Sequence, residues 1–330
     1  MNRVGVVVIG RNEGQRLIRC LESLAGVASL VYVDSGSSDG SQAAAERAGA
    51  TVIALDTTIP FTAARARNAG FDTLPRECEF IQFVDGDCAV QPGWIESGEA
   101  ALAADARLGA VFGRVREIRP DASIYNWLCN IEWAVPPGPA STFAGNVMLR
   151  RAALEEAGGY PEAMIAGEEP ELSIRMRMRG WDIRCLPQEM TLHDAAITRF
   201  GQWWRRAVRS GHAFAALVDR HRGSPLHNYG RNIASALLWG AMLPVLAAVA
   251  IVAGIAAGSV LLLGLGAMMA GLIAAQTLRI LLRNRRHRPL NEAATLAFFL
   301  MLAKPAQAIG IGRYWRGRIS GRRPRIIEYK

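Results

Sequence analysis

The sequence predicts an α/β domain with a mostly parallel sheet, followed by a helical membrane region. Over residues 1–118, short β-branched runs such as VGVVVI (4–9) alternate with helical patterns. This alternation is typical of a parallel sheet with helices on both faces. From Asn232 to Leu278, 47 consecutive residues carry no charged side chain. Because one helix needs about 20 apolar residues to cross a bilayer, this run fits two membrane spans.

The elements of the α/β part follow in a regular order. We predict strands at 4–9, 30–34, 51–55, 80–85 and 110–118, and helices at Glu13–Leu24, Asp39–Ala48 and Ala63–Thr73. In such sheets, ligands bind beyond the carboxyl ends of the strands. Carboxylates follow three of these strands, at Glu13, at Asp34 and at the pair Asp85/Asp87.

Charge separates the two parts of the chain. The 330 residues have a formal net charge of +9, but residues from Gly223 onward carry 14 basic and two acidic side chains, which leaves −3 for residues 1–222. A basic pole beside long apolar runs favours anionic membrane lipids over nucleic acid as partners. We therefore divide the chain into a domain at 1–222 and a membrane region at 223–330.

The cysteines bear on the cellular compartment. Five are scattered along the chain without a C-x-x-C pair. This spacing argues against a zinc site and against a disulfide scaffold, so we expect reduced thiols that face the cytosol. Hydrophobic residues make up 51% of the chain, which excludes intrinsic disorder.

The membrane region is expected to form two spans, near 234–254 and 259–280, joined by the turn GIAAGS. Arg231 precedes the first span and five arginines between 279 and 288 follow the second, whereas the turn has none. By the positive-inside rule both ends face the cytoplasm. The sequence thus predicts a multi-pass protein of a bacterial-type inner membrane, with its N-terminal domain in the cytoplasm.

A third apolar stretch follows these two spans. Ala293–Ala303 has 11 residues and ends at Lys304-Pro305, which is too short for a crossing. We expect an interfacial or re-entrant helix at about 292–312, followed by a basic tail.

The segment FVDGDC places Asp85 and Asp87 at the end of an apolar strand. Two carboxylates at a strand exit can bind a hard divalent cation, which usually shares its ligands with substrate phosphates. A polar turn, with Gly86 free to adopt a positive φ, is the alternative.

Six segments, in order, resemble the signatures of family-2 glycosyltransferases. They are VVVIGRNEGQRLIRCLESL, VDSGSSDGS, ARARNAGF, VDGDC, STFAGNVMLRRAALEEAGGYPE and GEEPELSIRMRMRGW. The resemblance as a whole covers roughly residues 4–215. The resemblance implies the GT-A fold, which is the Rossmann-like fold of nucleotide-diphospho-sugar transferases.

The resemblance implies a donor site at the strand ends. By this resemblance, Glu13 and Asp34 line the nucleotide pocket, and Asp34 accepts a hydrogen bond from a uracil N–H. Arg67 lies near the uridine and the diphosphate. Asp85 and Asp87 bind the ribose and the metal, and Asp87 is the direct ligand of Mn²⁺ or Mg²⁺.

On the acceptor side, Glu168-Glu169 stands where the family has Glu-Asp. The resemblance implies that Glu169 is the general base, with Glu168 beside it. His193 stands where many GT-A enzymes have a further metal or phosphate contact, and an ordinary loop histidine is the alternative. In GQWWRRAV, Trp204 and either Arg205 or Arg206 are expected at the donor diphosphate or the membrane surface, and a plain interfacial helix is the alternative.

These features predict an inverting, metal-dependent glycosyltransferase. It would move a sugar from a nucleotide-diphosphate sugar, by resemblance a UDP-sugar, to a hydroxyl of a lipid or lipid-linked saccharide. The aromatic segment YNWLCNIEW (125–133) is expected to stack on a sugar, hold a lipid or simply pack. A polyprenyl-phosphate glycosyltransferase is the alternative enzyme, because a phosphate acceptor needs no base. A membrane-anchored sugar-nucleotide-binding or scaffolding protein is the alternative without catalysis.

Overall fold

A computed structural model describes residues 3–226 and 229–321 of the chain. These residues form two compact units, of which the first ends at Arg199 and the second begins at Phe200. The first unit is α/β and the second is helical. The boundary at residue 222 rests on charge and hydropathy and stays a prediction. Helix Phe200–Arg220 belongs to the helical unit.

The first half of the sheet is parallel, as the alternation of strands and helices predicts. Its strands pair in the order β3-β2-β1-β4 and are β1 (Val4–Gly10), β2 (Ser29–Asp34), β3 (Thr51–Ala54) and β4 (Phe80–Asp85). The connecting helices are α1 (Gln15–Glu22), α2 (Ser41–Arg47) and α3 (Ala63–Thr73). Because the strands run in one direction, their carboxyl ends lie at one edge of the sheet.

The second half of the sheet is mixed, which differs from the expected mostly parallel arrangement. Its strands are β5 (Cys88–Val90), β6 (Leu108–Glu117), β7 (Gly138–Pro139), β8 (Val147–Arg150) and β9 (Asp182–His193). Strand β8 runs antiparallel between β4 and β6, whereas β9 is parallel to β6 and antiparallel to β5 and β7. The pattern of apolar residues predicts a strand but not its direction, so the sequence could not reveal this reversal.

Helices in this half are α4 (Trp94–Ala104), α5 (Ile124–Glu132), α6 (Arg151–Ala157) and α7 (Glu168–Met178). The sheet forms the core, with strand residues such as Val7, Tyr32 and Phe83 fully buried. Burial of each such side chain stabilises the fold by about 1.5–3 kcal/mol. An added Cβ at Gly70 would overlap a methyl group of Val7, so this glycine lets α3 lie close against β1.

The helical unit contains α8 (Phe200–Arg220), α9 (Tyr229–Leu237), a π-helical segment (Leu238–Met242), α10 (Leu243–Ala257), α11 (Val260–Arg285) and α12 (Leu290–Ile319). The turn between α10 and α11 falls in the predicted GIAAGS segment. Gly258 has a φ of 62° and ends α10. The hydroxyl of Ser259 accepts a hydrogen bond from the Leu262 N–H and begins α11.

Three helical segments among the described residues are long and apolar enough to cross a membrane. They are Tyr229–Ala257, Val260–Arg285 and Leu290–Ile319. Large apolar side chains on them are exposed, such as Val260 at 82% and Leu261 at 74%, as lipid-facing side chains would be. The length and apolar composition of these helices, with their exposed apolar side chains, indicate a membrane-anchored protein.

The third of these segments corrects the predicted two-span hairpin with a short interfacial helix at 292–312. Helix α12 has 30 residues and continues through Pro305. A proline removes only one N–H donor, and long apolar helices tolerate it where neighbouring helices pack closely. An added Cβ at Gly240 would overlap the backbone at Lys304-Pro305, so the π-helical segment packs directly on this proline. The part of the predicted basic tail beyond Gly321 lies outside the described residues.

Candidate active site at the carboxyl edge of the sheet

The predicted donor-side carboxylates meet at one edge of the sheet. In the register of the parallel strands, Gly10 pairs with Asp34 and Ile9 pairs with Asp85. The carboxyl end of β9 brings His193 opposite Cys88 on β5. Residues separated by up to about 180 positions in the chain therefore come together where β1, β2, β4 and β9 end.

Asp34 is fully buried and held by its own turn. Its carboxylate accepts hydrogen bonds from the Tyr32 hydroxyl at 3.1 Å, from the backbone N–H groups of Gly36 and Ser37, and from the Gln42 amide. Burial opposes the charge, but the hydrogen bonds from Ser37, Gln42 and Tyr32 outweigh it and lower the pKa of Asp34. Asp34 is thus an ionised anchor of the loop after β2, and its contact with a uracil stays a prediction.

Glu13 lies beside the D-x-D turn. An added Cβ at Gly86 would lie 3.4 Å from Glu13 Cγ and 3.1 Å from the carbonyl oxygen of Ile9. The Glu13 carboxylate forms an ion pair with Arg16 at 2.7 Å. Gly86 therefore permits a close approach between the loop after β1 and the turn after β4, and the nucleotide contact of Glu13 stays a prediction.

Buried Asp87 pairs with His193, which is partly buried. The Asp87 side chain is 4% exposed and its Oδ2 lies 3.0 Å from Nε2 of His193. The ring of Trp133 stacks on His193, with centroids 4.3 Å apart and planes at 12°. Trp133 belongs to the segment YNWLCNIEW, for which stacking on a sugar was one prediction. Its ring holds the imidazole of His193 in place. Cys88 donates its S–H to Asp87 Oδ1 at 3.6 Å.

The backbone after His193 is held by two buried carboxylates. Glu117, at the end of β6, accepts from the Ala195 N–H at 3.0 Å and from the Asn126 amide at 3.1 Å. Asp194 forms ion pairs with Arg19 at 2.7 Å and with Arg119 at 3.4 Å. These contacts fix the position from which His193 reaches the D-x-D turn.

Arg67 joins the two sets of predicted catalytic carboxylates. Its guanidinium lies 3.0 Å from Asp85 and 3.3 Å from both Glu168 and Glu169, and its side chain is 3% exposed. Burial opposes its charge, but the carboxylates of Asp85 and Glu169 outweigh it and hold the pKa of Arg67 above its ordinary value. The residue predicted to contact the donor diphosphate is therefore bound to carboxylates from both sides of the site.

A second residue of the ARARNAGF segment joins the same parts of the chain. Asn68 donates its side-chain N–H to the Tyr160 carbonyl at 2.9 Å and accepts from the Tyr160 N–H at 2.8 Å. Arg67 in turn lies over the Tyr160 ring, 5.3 Å from its centroid. Helix α3 thus fixes the segment that leads into α7, although the two are about 90 residues apart in sequence.

Glu168 and Glu169 begin helix α7, after Gly167 with a φ of 84°. The positive end of a helix dipole favours carboxylates there. Glu168 is buried, and the Glu169 side chain is 17% exposed. Burial, together with the charge of Glu168, raises the pKa of Glu169 to about 7 although Arg67 lowers it. Glu169 is therefore poised to exchange a proton near neutral pH, as a general base must.

The residues at the D-x-D turn fit a divalent cation. Asp87, Cys88 and His193 each offer a ligand atom, and these atoms lie within 4.8 Å of one another. Asp85, also predicted as a ligand, has a side chain that is 31% exposed, and Oδ1 of its carboxylate accepts from Arg67. Carboxylate and imidazole groups suit Mn²⁺ and Zn²⁺, so the site has the chemistry that a metal-dependent transferase requires.

Sequence reasoning missed two residues at this turn, Cys88 and Asn146. The Asn146 side chain accepts from the Asp85 N–H at 3.0 Å and donates to Cys88 Sγ at 3.2 Å. An added Cβ at Gly145 would overlap Asp85 Oδ2 and lie 2.7 Å from Arg67 Nη2. The Gly145-Asn146 dipeptide was the available signal in the sequence. It lies in the segment STFAGNVMLRRAALEEAGGYPE, which by the family resemblance belongs to the acceptor side.

Trp204 and Arg205 lie on α8, in the helical unit. Trp204 packs beside Ala207, Val208 and Ala306. Their predicted contact with the donor diphosphate or the membrane surface stays a prediction.

Comparisons with known proteins agree with this fold. Residues 5–156 match the family model described as "Glycosyl transferase family 2". A mannosyltransferase of Pyrobaculum calidifontis, solved in complex with GDP-Man and Mn²⁺, superposes with a TM-score of 0.57 at 23% identity, over 93% of this chain and 87% of that one. TarS 1-349 of S. aureus, in complex with UDP-GlcNAc, superposes with a TM-score of 0.52 at 14% identity, over 97% of this chain and 92% of that one. Residues 5–156 therefore match a glycosyl transferase family 2 domain, and the α/β unit has the GT-A fold.

A curated relative extends the match beyond the family model. The Mycobacterium tuberculosis protein described as "Pre-mycofactocin glycosyltransferase" is 27% identical over 229 residues, which is 66% of this chain and 48% of that protein. The chain thus spans about half the length of this relative.

Proposed function

We propose that this chain is a membrane-anchored, inverting, metal-dependent glycosyltransferase. Its donor is a nucleotide-diphosphate sugar, with a UDP-sugar favoured by the sequence resemblance. Its acceptor is a hydroxyl of a lipid or lipid-linked saccharide at the cytoplasmic membrane face. The family 2 domain supports the transfer reaction, and the three candidate spans support an acceptor at the membrane.

One observation carries the proposal: Arg67 holds the D-x-D carboxylate Asp85 and the Glu168-Glu169 pair around a single buried guanidinium. Transfer from a nucleotide-diphosphate sugar needs neutralisation of the departing diphosphate on one side and proton removal on the other. The contacts of Arg67 support the proposal, because the carboxylates that we assign to these two tasks all lie around its guanidinium. A mere binding protein would not require a carboxylate whose pKa is raised to about 7 in this place.

In the proposed reaction Glu169 accepts the proton of the acceptor hydroxyl as that oxygen attacks the anomeric carbon. Arg67 stays charged and holds Glu169 and Asp85 in position. Asp87 and His193 would hold the divalent cation, with Asp85 beside them at the same turn. When bound, the cation supplies positive charge that stabilises the leaving diphosphate. One base opposite the leaving group implies a single displacement, so the anomeric configuration inverts.

The donor class has further support from proteins with the same fold. The two similar structures are complexes with GDP-Man and UDP-GlcNAc, both nucleotide-diphosphate sugars. We infer that the nucleotide pocket is at the loop of Asp34 and that Glu13 lies at its border.

The test uses the full chain, purified in lipid nanodiscs and supplied with Mn²⁺, a panel of UDP- and GDP-sugars and a bacterial lipid extract. We expect one donor to give a lipid product heavier by one sugar residue, with inverted anomeric configuration by NMR. Glu46→Gln, which changes an exposed glutamate on α2, is the matched control for Glu169→Gln. Absence of a product with every donor, or a product with retained configuration, would count against the proposal.

A further inference from the structure

Cys88 lies against the proposed cation site through sheet geometry. On the antiparallel strands β5 and β9, Cys88 is directly opposite His193, and side chains of directly opposed residues lie on the same face of a sheet. Asp87 is the neighbour of Cys88 in the chain, and its carboxylate contacts both side chains, at 3.6 Å for Cys88 Sγ and 3.0 Å for His193 Nε2. Sulfur, oxygen and nitrogen ligand atoms thus converge within 4.8 Å.

The surrounding residues hold these ligands in place. Cys88 and Asp87 are both buried. The Asn146 amide donates to Cys88 Sγ at 3.2 Å, and the stacked ring of Trp133 fixes the His193 imidazole. Outer partners of this kind orient metal ligands and raise their affinity. The cluster is therefore a built site, in contrast to a cysteine that lies near a carboxylate by chance.

The chemistry of this ligand set differs from that of an all-oxygen magnesium site. Cysteine sulfur binds Zn²⁺ and similar soft cations, whereas Mg²⁺ and Mn²⁺ prefer oxygen ligands. A dication bound there would favour loss of the Cys88 thiol proton to solvent, so that the sulfur would serve as a thiolate ligand. In the sequence, the absence of a C-x-x-C pair argues against a zinc site. In the structure, the neighbouring Asp87 and His193, on a strand about 100 residues away, supply ligand atoms beside Cys88.

We propose that Asp87, Cys88 and His193 form a site for a thiophilic divalent cation of the Zn²⁺ and Cd²⁺ class. Since this site shares Asp87 and His193 with the proposed transfer site, the soft cation competes with Mn²⁺ or Mg²⁺ and inhibits transfer. Only this competition rests on the proposed function. Binding itself depends on the three side chains alone.

The test measures cation binding without any sugar donor. The full chain in detergent is titrated with Cd²⁺, and the ultraviolet charge-transfer absorbance of a sulfur–cadmium bond is recorded. We expect a band for one sulfur per chain in the wild type and in Cys185→Ser, a matched control on β9 whose thiol contacts the Val135 carbonyl. In Cys88→Ser the band should disappear and the Kd for Cd²⁺ should rise at least about 10-fold, while the Kd for Mn²⁺ changes less.

His193→Ala provides a second variant that does not alter the cysteine. It should also raise the Kd for Cd²⁺ at least about 10-fold, because a lone thiol would bind equally well without the imidazole. A wild-type protein without the band, a band that persists in Cys88→Ser, or unchanged Cd²⁺ affinity in His193→Ala would overturn the proposal. If the wild type shows the band but transfers no sugar, the cation site stands and the proposed function fails. If it transfers sugar but shows no band, the cation site fails and the proposed function stands.

Discussion

Replacement of Arg67 by methionine tests whether the buried guanidinium holds the site together. The change keeps an apolar stem but removes the charge that contacts Asp85, Glu168 and Glu169. Removal of one partner from a buried ion pair typically costs about 3–5 kcal/mol, because the remaining charge is left uncompensated. We expect Arg67→Met to lower the free energy of unfolding by about this amount at pH 8. In a domain of this length it corresponds to a fall in Tm of roughly 6–20 °C.

The expected loss depends on pH, and its sign follows from the carboxylates. In the variant the pKa of Glu169 rises above its value of about 7 in the wild type, because the lowering effect of Arg67 is gone. A glutamate whose folded pKa is raised above the unfolded value destabilises the fold when it is ionised. The penalty is therefore full above the folded pKa and fades as pH falls toward the unfolded pKa of about 4.5. Most of it is gone at pH 5, where Glu169 is protonated in the folded protein.

The assay is thermal unfolding of the full chain in detergent at pH 8 and pH 5, followed by near-ultraviolet circular dichroism. Arg76→Met is the matched control, because Arg76 pairs with Glu155 at the same 3.0 Å but its side chain is 85% exposed. Exposed pairs contribute at most about 1 kcal/mol. The reasoning is refuted if Arg67→Met destabilises the protein no more than Arg76→Met, or equally at both pH values.

Three further predictions concern the reaction. Glu169→Gln should lower the transfer rate by roughly 10²–10⁴-fold. In the wild type, ionisation of Glu169 should make activity rise through about pH 7, and the variant should lack this rise. Near wild-type turnover would favour the phosphate-acceptor alternative or Glu168 as base. Asp87→Ala should remove metal-dependent turnover while circular dichroism stays unchanged, and activity that persists in this variant or in chelator would contradict the metal assignment. Gly145→Ala should reduce kcat, since the added Cβ would displace Asp85, whereas Gly201→Ala, with open space around it, should not; equal kinetics would refute the role of this close approach.

The sequence alone determined the local elements and the chemical inventory. Runs of β-branched residues gave the strands of the parallel half, and each carboxylate of the proposed site stood at a strand end or helix start. The long uncharged run predicted membrane helices, because water-soluble helices rarely lack a charged face over such a length. These features are encoded within a few neighbouring residues, so they can be identified before any contact is known.

Tertiary structure decided which of these local features meet. The direction of β8, the contact of Arg67 with carboxylates about 20 and 100 positions away, and the pairing of Cys88 with His193 all depend on strands and helices that are distant in sequence. The continuation of α12 through Pro305 likewise depends on packing against Gly240. The pattern of apolar residues specifies each strand or helix and its buried face. The partners and the direction of each element depend on the packing of the whole domain, in which all elements bury their apolar faces together.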